Sequence, residues 1–297
     1  MRTVPRGGLV VRAARVPPPD PYPCEVAVTS PPLATIPFTE SRVVHSAVAG
    51  SDYVVSVALP CGYEQDPGRR WPVIFVLDGN WHFGLVVDMV RFMNIRIGFC
   101  NELPDAIVVG VGYPVAGTQL ERLHQVMHLR LRDFVLGREE SGEEFMQENF
   151  PVPELIPSGN GLPFMDFLER ELIPMIETEY RADEHDRTLL GHSLGANFAL
   201  YTLFRKPGLF ARMVVASFDP LLNHEEAFAA EHTALPVRLH LVFEGQTEED
   251  EIGPRSLIDR LASRRYEGLE LTHEGMLSTH CAMVPYAYQS GLVQVFG

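Results

Sequence analysis

Gly191-His192-Ser193-Leu194-Gly195 places a serine between two glycines, and the sequence changes character at that serine. Arg187-Thr188-Leu189-Leu190 before it ends like a buried strand, whereas Ala196 to Lys206 after it has the composition of a helix. A sharp strand-to-helix turn holds a serine in a strained backbone with its hydroxyl above the sheet edge, and small residues two positions away let the chain pass closely. The first amides of the following helix aim at the same point, where they can stabilise a developing oxyanion. The spacing therefore predicts a nucleophile at Ser193 with the amide of Leu194 as an oxyanion donor. A chance glycine pair beside a buried serine would not carry a strand before it and a helix after it. His192, a strand neighbour whose side chain points away, is read as structural.

Such a turn needs a sheet to stand on, and the flanking sequence supplies one. Arg42–Val48 and Tyr53–Leu59 are alternating and β-branched, which predicts a hairpin around Gly50. Apolar strands ending at Asp78, Gly112, Ser193, Phe218 and Gly245 follow, with a last one over "LELTHEG". Helices are predicted over Phe164–Tyr180, Leu194–Arg205, Arg255–Tyr266 and from Pro285 onward. Short apolar strands alternating with helices imply one α/β domain, a mostly parallel doubly wound sheet covered on both faces. Residues 41–297 make up this domain, and residues 1–40, with Pro17, Pro18 and Pro19 in a row, form a proline-rich strap. From 115 to 162 the pattern fails in text rich in Glu, Pro and Gly, which is expected as a lid-like insertion.

A serine hydroxyl needs a base within hydrogen-bond reach, and the base needs a third group to orient it. His280 falls in the loop between the last strand and the last helix, where a base would stand. His240 and His273 lie within strands, and His224 and His232 come too early in the chain. The acid is expected in the loop after "VRLHLVFEG", where Glu248, Glu249, Asp250 and Glu251 are consecutive. Their spacing from Ser193 and His280 does not choose among them.

At these residues the sequence resembles the esterase D-like group of α/β hydrolases, and within it the branch of siderophore ester hydrolases. The resemblance runs from about Arg42 to the C-terminus through "VSVALPCGY", "WPVIFVLDGNWHF", "RLRDF", "FLERELIPMIETEYRAD", "RTLLGHSLGANFALY" and "HCAMVP". It implies an α/β-hydrolase fold and a serine esterase that cleaves a carboxylic ester or lactone through an acyl-enzyme. It also implies an acid three positions beyond Gly245, which lands on Glu248, with Asp219 as the alternative from other hydrolases. The second oxyanion donor becomes the amide of Asn80, with Asp78 bracing its turn. Trp81 is implied as a pocket wall and Arg132 as a substrate contact. Two departures stand out. Ser217-Phe218-Asp219-Pro220 replaces a segment that carries two tryptophans in relatives, which removes an aromatic wall suited to a catecholate. Gly195-Ala196 replaces a glycine pair.

Composition narrows the remaining classes. With 24 basic and 39 acidic side chains the formal charge is −15, which repels nucleic acid and polyanionic substrates. The longest apolar runs are strand-sized, so no membrane span is expected. Four scattered cysteines without a CxxC pair suggest neither zinc nor a disulfide framework, and a cytoplasmic location is expected. His124 and His128 share a helical face, but Gln125 stands where a zinc hydrolase needs glutamate. No metal or other cofactor is expected. A non-catalytic binding protein on the same fold would be free to lose Ser193 or His280, and both are present. A transferase using the same acyl-enzyme has the same residues and differs only in its acceptor.

Overall fold

In the computed structural model, residues 35–95 and 102–297 are described. The proline-rich strap assigned to 1–40 lies almost wholly outside them.

The predicted hairpin forms from β1 (Thr39–Ser46) and β2 (Ser51–Ala58), which pair antiparallel. Then come β3 (Trp71–Val76), α1 (Gly79–Phe92) and β4 (Ile107–Gly112). The segment expected to lack regular structure carries α2 (Gln119–Phe134) and α3 (Glu140–Asn149). Local chemistry explains α2, because Thr118 and Glu121 form a reciprocal capping box that satisfies two free amides at its start. His128 on α2 reaches the carbonyl of Phe150 at 2.9 Å, and His124 reaches that of Pro151 at 3.0 Å. The shared helical face that the histidine spacing predicts thus pins the chain that leaves α3.

α4 (Gly161–Phe167) and α5 (Ile173–Glu179) fill the span predicted as one helix and are joined by a π-helical stretch over Leu168–Leu172. Pro174 accounts for the irregularity, since it lacks an amide hydrogen and its ring crowds the preceding turn. The remaining order is β5 (Ala182–His192), α6 (Leu194–Arg205), β6 (Arg212–Ala216), α7 (Leu222–Ala229), β7 (Ala234–Glu244), α8 (Glu248–Arg264), β8 (Glu267–Met276) and α9 (Val284–Phe296).

The eight strands form one sheet in the order β1-β2-β4-β3-β5-β6-β7-β8. β1, β2 and β4 pair antiparallel, and every pair from β4 to β8 is parallel. Strand alternation divides the apolar residues between two layers. Val73, Phe75, Leu189 and Leu241 face a core shared with α2, α4, α5, α6 and α8, whereas Ile74, Val76, Leu190 and Val242 face α1 and α9. The strand order reverses at β3, whose two neighbours are β4 on one side and β5 on the other. Open parallel sheets present ligand sites at such a switch point, beyond the carboxyl ends of the strands.

Candidate active site

Ser193 stands at that switch point, with φ 60° and ψ −123°, directly between β5 and α6. The glycine at 191 is required by packing, because a Cβ there would run into the carbonyl of Gly195. Ser193 Oγ is 3.0 Å from His280 Nε2. The other ring nitrogen, Nδ1, is 2.9 Å from Glu244 Oε1. A carboxylate only accepts, so Nδ1 carries the hydrogen and Nε2 is left bare toward the serine.

The acid beside the base is therefore Glu244, the last residue of β7, and not Glu248. Glu248 opens α8 and is exposed, in a turn capped reciprocally by Thr247 and Asp250. Glu251 pairs with Arg255 one turn further along. The consecutive acids are thus the first turn of a helix, where negative charge meets free amides. Asp219 is exposed and exchanges two hydrogen bonds with Asn197.

Sequence reasoning also passed over Ser217. At φ 56°, just beyond β6, it donates from Oγ to Glu244 Oε1 at 2.7 Å, and its oxygen lies 3.0 Å from His280 Nδ1. Burial alone would push the Glu244 carboxyl up. The hydrogen bonds from His280 and Ser217 outweigh it and hold the group down at about 2, so it stays ionised at neutral pH. β5, β6 and β7 are adjacent, and their carboxyl ends deliver Ser193, Ser217 and Glu244 side by side. The signal available in the sequence was a carboxylate closing an apolar strand, at the level where the sheet presents its ligands.

Asn80 lies in the first turn of α1, where backbone amides have no intrahelical acceptor. Its side chain is tied on both sides to Tyr113, donating to the carbonyl at 3.0 Å and accepting from the amide at 2.7 Å. The residue before the turn, Asp78, is left-handed at φ 55° and fully buried. Gly79 follows it because a Cβ there would stand 2.7 Å from the amide nitrogen of Val111. Arg130 of α2 grips both carboxylate oxygens of Asp78 at 2.6 and 3.0 Å, itself buried. Breaking a buried ion pair strands its partner, so Arg130→Met should lower stability by about 3–5 kcal/mol in urea unfolding. A loss below about 1 kcal/mol would show that the pair does not hold the turn.

Arg132, expected as a substrate contact, spends its donors on the buried carboxylate of Asp133 at 2.8 and 2.7 Å. It is not among the residues lining the groove at Ser193. That groove, about 570 Å³, is lined by Asn197, Asp219, Gln246 and Asp250 together with Ser193, Glu244 and His280. Trp81, 39% exposed, lines a second hollow of about 840 Å³ with Asn80, Val115 and Leu123.

Burial keeps two histidines on the α1 and α9 side uncharged. His192 is held down at about 4 by burial first and then by the charge of His280, and His240 at about 4 by burial. Both folded values lie below the ordinary 6.5, so the unfolded chain binds more protons between about pH 6.5 and 4. Stability should therefore fall through that window as pH drops, by up to about 2.7 kcal/mol per pH unit for two such groups. Glu244, whose folded value is depressed instead, adds stability above its ordinary 4.5 that is lost as pH falls from there toward 2. Urea midpoints at pH 7 and 5 test this, and equal midpoints would contradict it.

Among the described residues no helix is long and apolar enough to cross a membrane. The family model described as "Putative esterase" matches residues 46–267. The ferri-bacillibactin esterase BesA of Bacillus subtilis is 29% identical over 277 residues, covering 87% of this chain and 91% of that protein. A siderophore triacetylfusarinine C esterase of Aspergillus fumigatus is 26% identical over 173 residues, 57% of this chain and 51% of the other. Among solved structures, the BES protein of Bacillus cereus superposes with a TM-score of 0.73 at 24% identity, over 91% of this chain and 98% of that one. This chain has the α/β-hydrolase fold, which it shares with that structure.

Proposed function

The chain belongs to the family described as "Putative esterase" and is an ester hydrolase, and on that footing we propose that it works as a serine esterase through an acyl-enzyme on Ser193. The observation that carries this reading is the continuous line of hydrogen bonds from Ser193 Oγ through the His280 ring to Glu244. His280 Nε2 takes the hydroxyl proton as Oγ attacks the ester carbonyl carbon, and Glu244 steadies the imidazolium that results. The carbonyl oxygen becomes an oxyanion facing the amides of Leu194 and Asn80. Collapse breaks the bond to the alcohol, which leaves with the proton that His280 returns. Water then enters and gives a proton to the same nitrogen as its oxygen bonds to the acyl carbon. The second collapse breaks the bond to Ser193 Oγ, which takes that proton back from His280 as the acid leaves. Hydrolysis is favoured over transfer because the His280 side chain is 53% exposed beside an open groove, so water reaches the acyl-enzyme.

The substrate we propose is a carboxylic ester or lactone of moderate size. The groove suits part of such a molecule in volume, and its lining sets the polar or acidic Asn197, Asp219, Gln246 and Asp250 beside the apolar Leu194, Phe218, Pro220 and Pro254. That lining opposes a strongly anionic group. The two relatives named as esterases act on siderophore esters, and a siderophore ester is the class proposed, while the acidic side chains of the groove by themselves favour one with a neutral or cationic surface. A series of p-nitrophenyl esters tests the size class. Acetyl and butyryl esters should be turned over faster than palmitoyl, and EDTA should change nothing. Preference for palmitoyl esters with activation at an oil-water interface would reject it.

A further inference from the structure

His192 stands next to the nucleophile, yet the chemistry above gives it no task. Alternation along β5 sends its ring to the α1 and α9 side of the sheet. There it lies 6% exposed, with Nε2 2.9 Å from the backbone carbonyl oxygen of His280. A carbonyl accepts only, so Nε2 carries the hydrogen and the ring is a neutral donor with Nδ1 bare. The two ring centroids are 4.7 Å apart. Behind His192, the His82 ring of α1 stands nearly edge-on at 6.0 Å, and its Nδ1 is 3.2 Å from the Tyr288 hydroxyl of α9. His192 is thereby packed between the loop that carries His280 and two helices.

We propose that His192 is a positioning residue for His280, an inference that rests on the serine-esterase reading. The His280 ring is oriented at one end by Glu244 and Ser217. Its backbone is held at the other end by His192, the only side chain among the described residues bonded to the main chain of His280. Between these two anchors the ring nitrogen stays at 3.0 Å from Ser193 Oγ. A neutral donor is the kind of group the place requires. His280 becomes a cation during each turnover, and a second cation 4.7 Å away would oppose it. The burial that holds His192 uncharged at neutral pH meets that requirement. Displacing a base by about an ångström costs on the order of a hundredfold in rate.

The test compares His192→Leu, His192→Gln and His192→Asn in turnover of p-nitrophenyl butyrate. Leucine removes the donor, the glutamine amide nitrogen reaches to the place of the ring Nε2, and the asparagine amide nitrogen stops near Nδ1. His192→Leu should lower kcat by about a hundredfold with KM changed by less than about threefold. His192→Gln should recover about tenfold or more over leucine, while His192→Asn stays low. Near-UV circular dichroism reports the fold, and if the leucine variant fails to fold, the glutamine against asparagine comparison decides. Wild-type kcat in the leucine variant, or equal rates for glutamine and asparagine, would overturn the proposal. A Ser193→Ala control that still turned over would overturn the esterase reading itself, and this proposal with it.

Discussion

Ser193→Ala should lower turnover of p-nitrophenyl butyrate by about four to six orders of magnitude and leave the fold in place. Alanine keeps the Cβ, so the backbone at φ 60° is no more strained than before. What disappears is the oxygen 3.0 Å from His280 Nε2. His280→Ala should be nearly as damaging, because a serine hydroxyl without a base is a poor nucleophile. Nucleophile and base act as one unit, so the double variant should be scarcely worse than either single one. Steady-state rates with a urea unfolding curve for each variant check this. Additive losses, with every variant folded, would mean that the two side chains act independently.

Glu244→Gln should lower kcat by about two to four orders of magnitude, since an amide can neither fix the ring tautomer nor offset the imidazolium charge. Glu248→Gln should leave kcat within about twofold, because position 248 lies on the exposed first turn of α8. Asp219→Asn should be similarly mild, since its partner Asn197 can still hydrogen-bond an amide. With its carboxyl held at about 2, Glu244 contributes no limb to a rate profile measured above pH 4. Reversal of the first two effects, with Glu248→Gln the severe variant, would return the acid to the loop.

The difference between those two glutamates shows what the sequence could carry. Ser193 was legible because its evidence is local, with a strand, two glycines and a helix inside one continuous stretch. His280 was legible from its order among the elements, in the loop between the last strand and the last helix. The acid depends on how adjacent strand ends align in space. β7 runs two residues past its last pair with β6, and its final side chain lands beside Ser217. The helix predicted after β7 starts only at Arg255, which leaves Glu248–Glu251 in the loop before it. The Thr247 capping box begins α8 seven residues earlier and absorbs that run.

The sheet was read nearly strand for strand because buried parallel strands are written as apolar runs. Four helices were missed. α1 opens on Gly79 and has Gly84 within it, and α3 is mostly polar, so their composition argues weakly for helix. α7 is held by tertiary contacts, such as Glu225 to Arg264 and Tyr266, which no window along the chain can display, whereas α2 had a local signal in the Thr118 and Glu121 capping box, hidden in text rich in Glu, Pro and Gly. Arg132 was drawn toward the substrate by its motif, but its partner Asp133 is the next residue in the chain.

The central claim is that a covalent intermediate forms on Ser193, and one measurement reaches it directly. The protein is treated with a fluorophosphonate probe, weighed intact, and digested to find the labelled peptide. A single adduct on the peptide bearing Gly191–Gly195, absent from Ser193→Ala and slowed in Glu244→Gln, is the predicted result. An unmodified wild-type mass under conditions where ester hydrolysis proceeds, or an adduct that persists in Ser193→Ala, would contradict it.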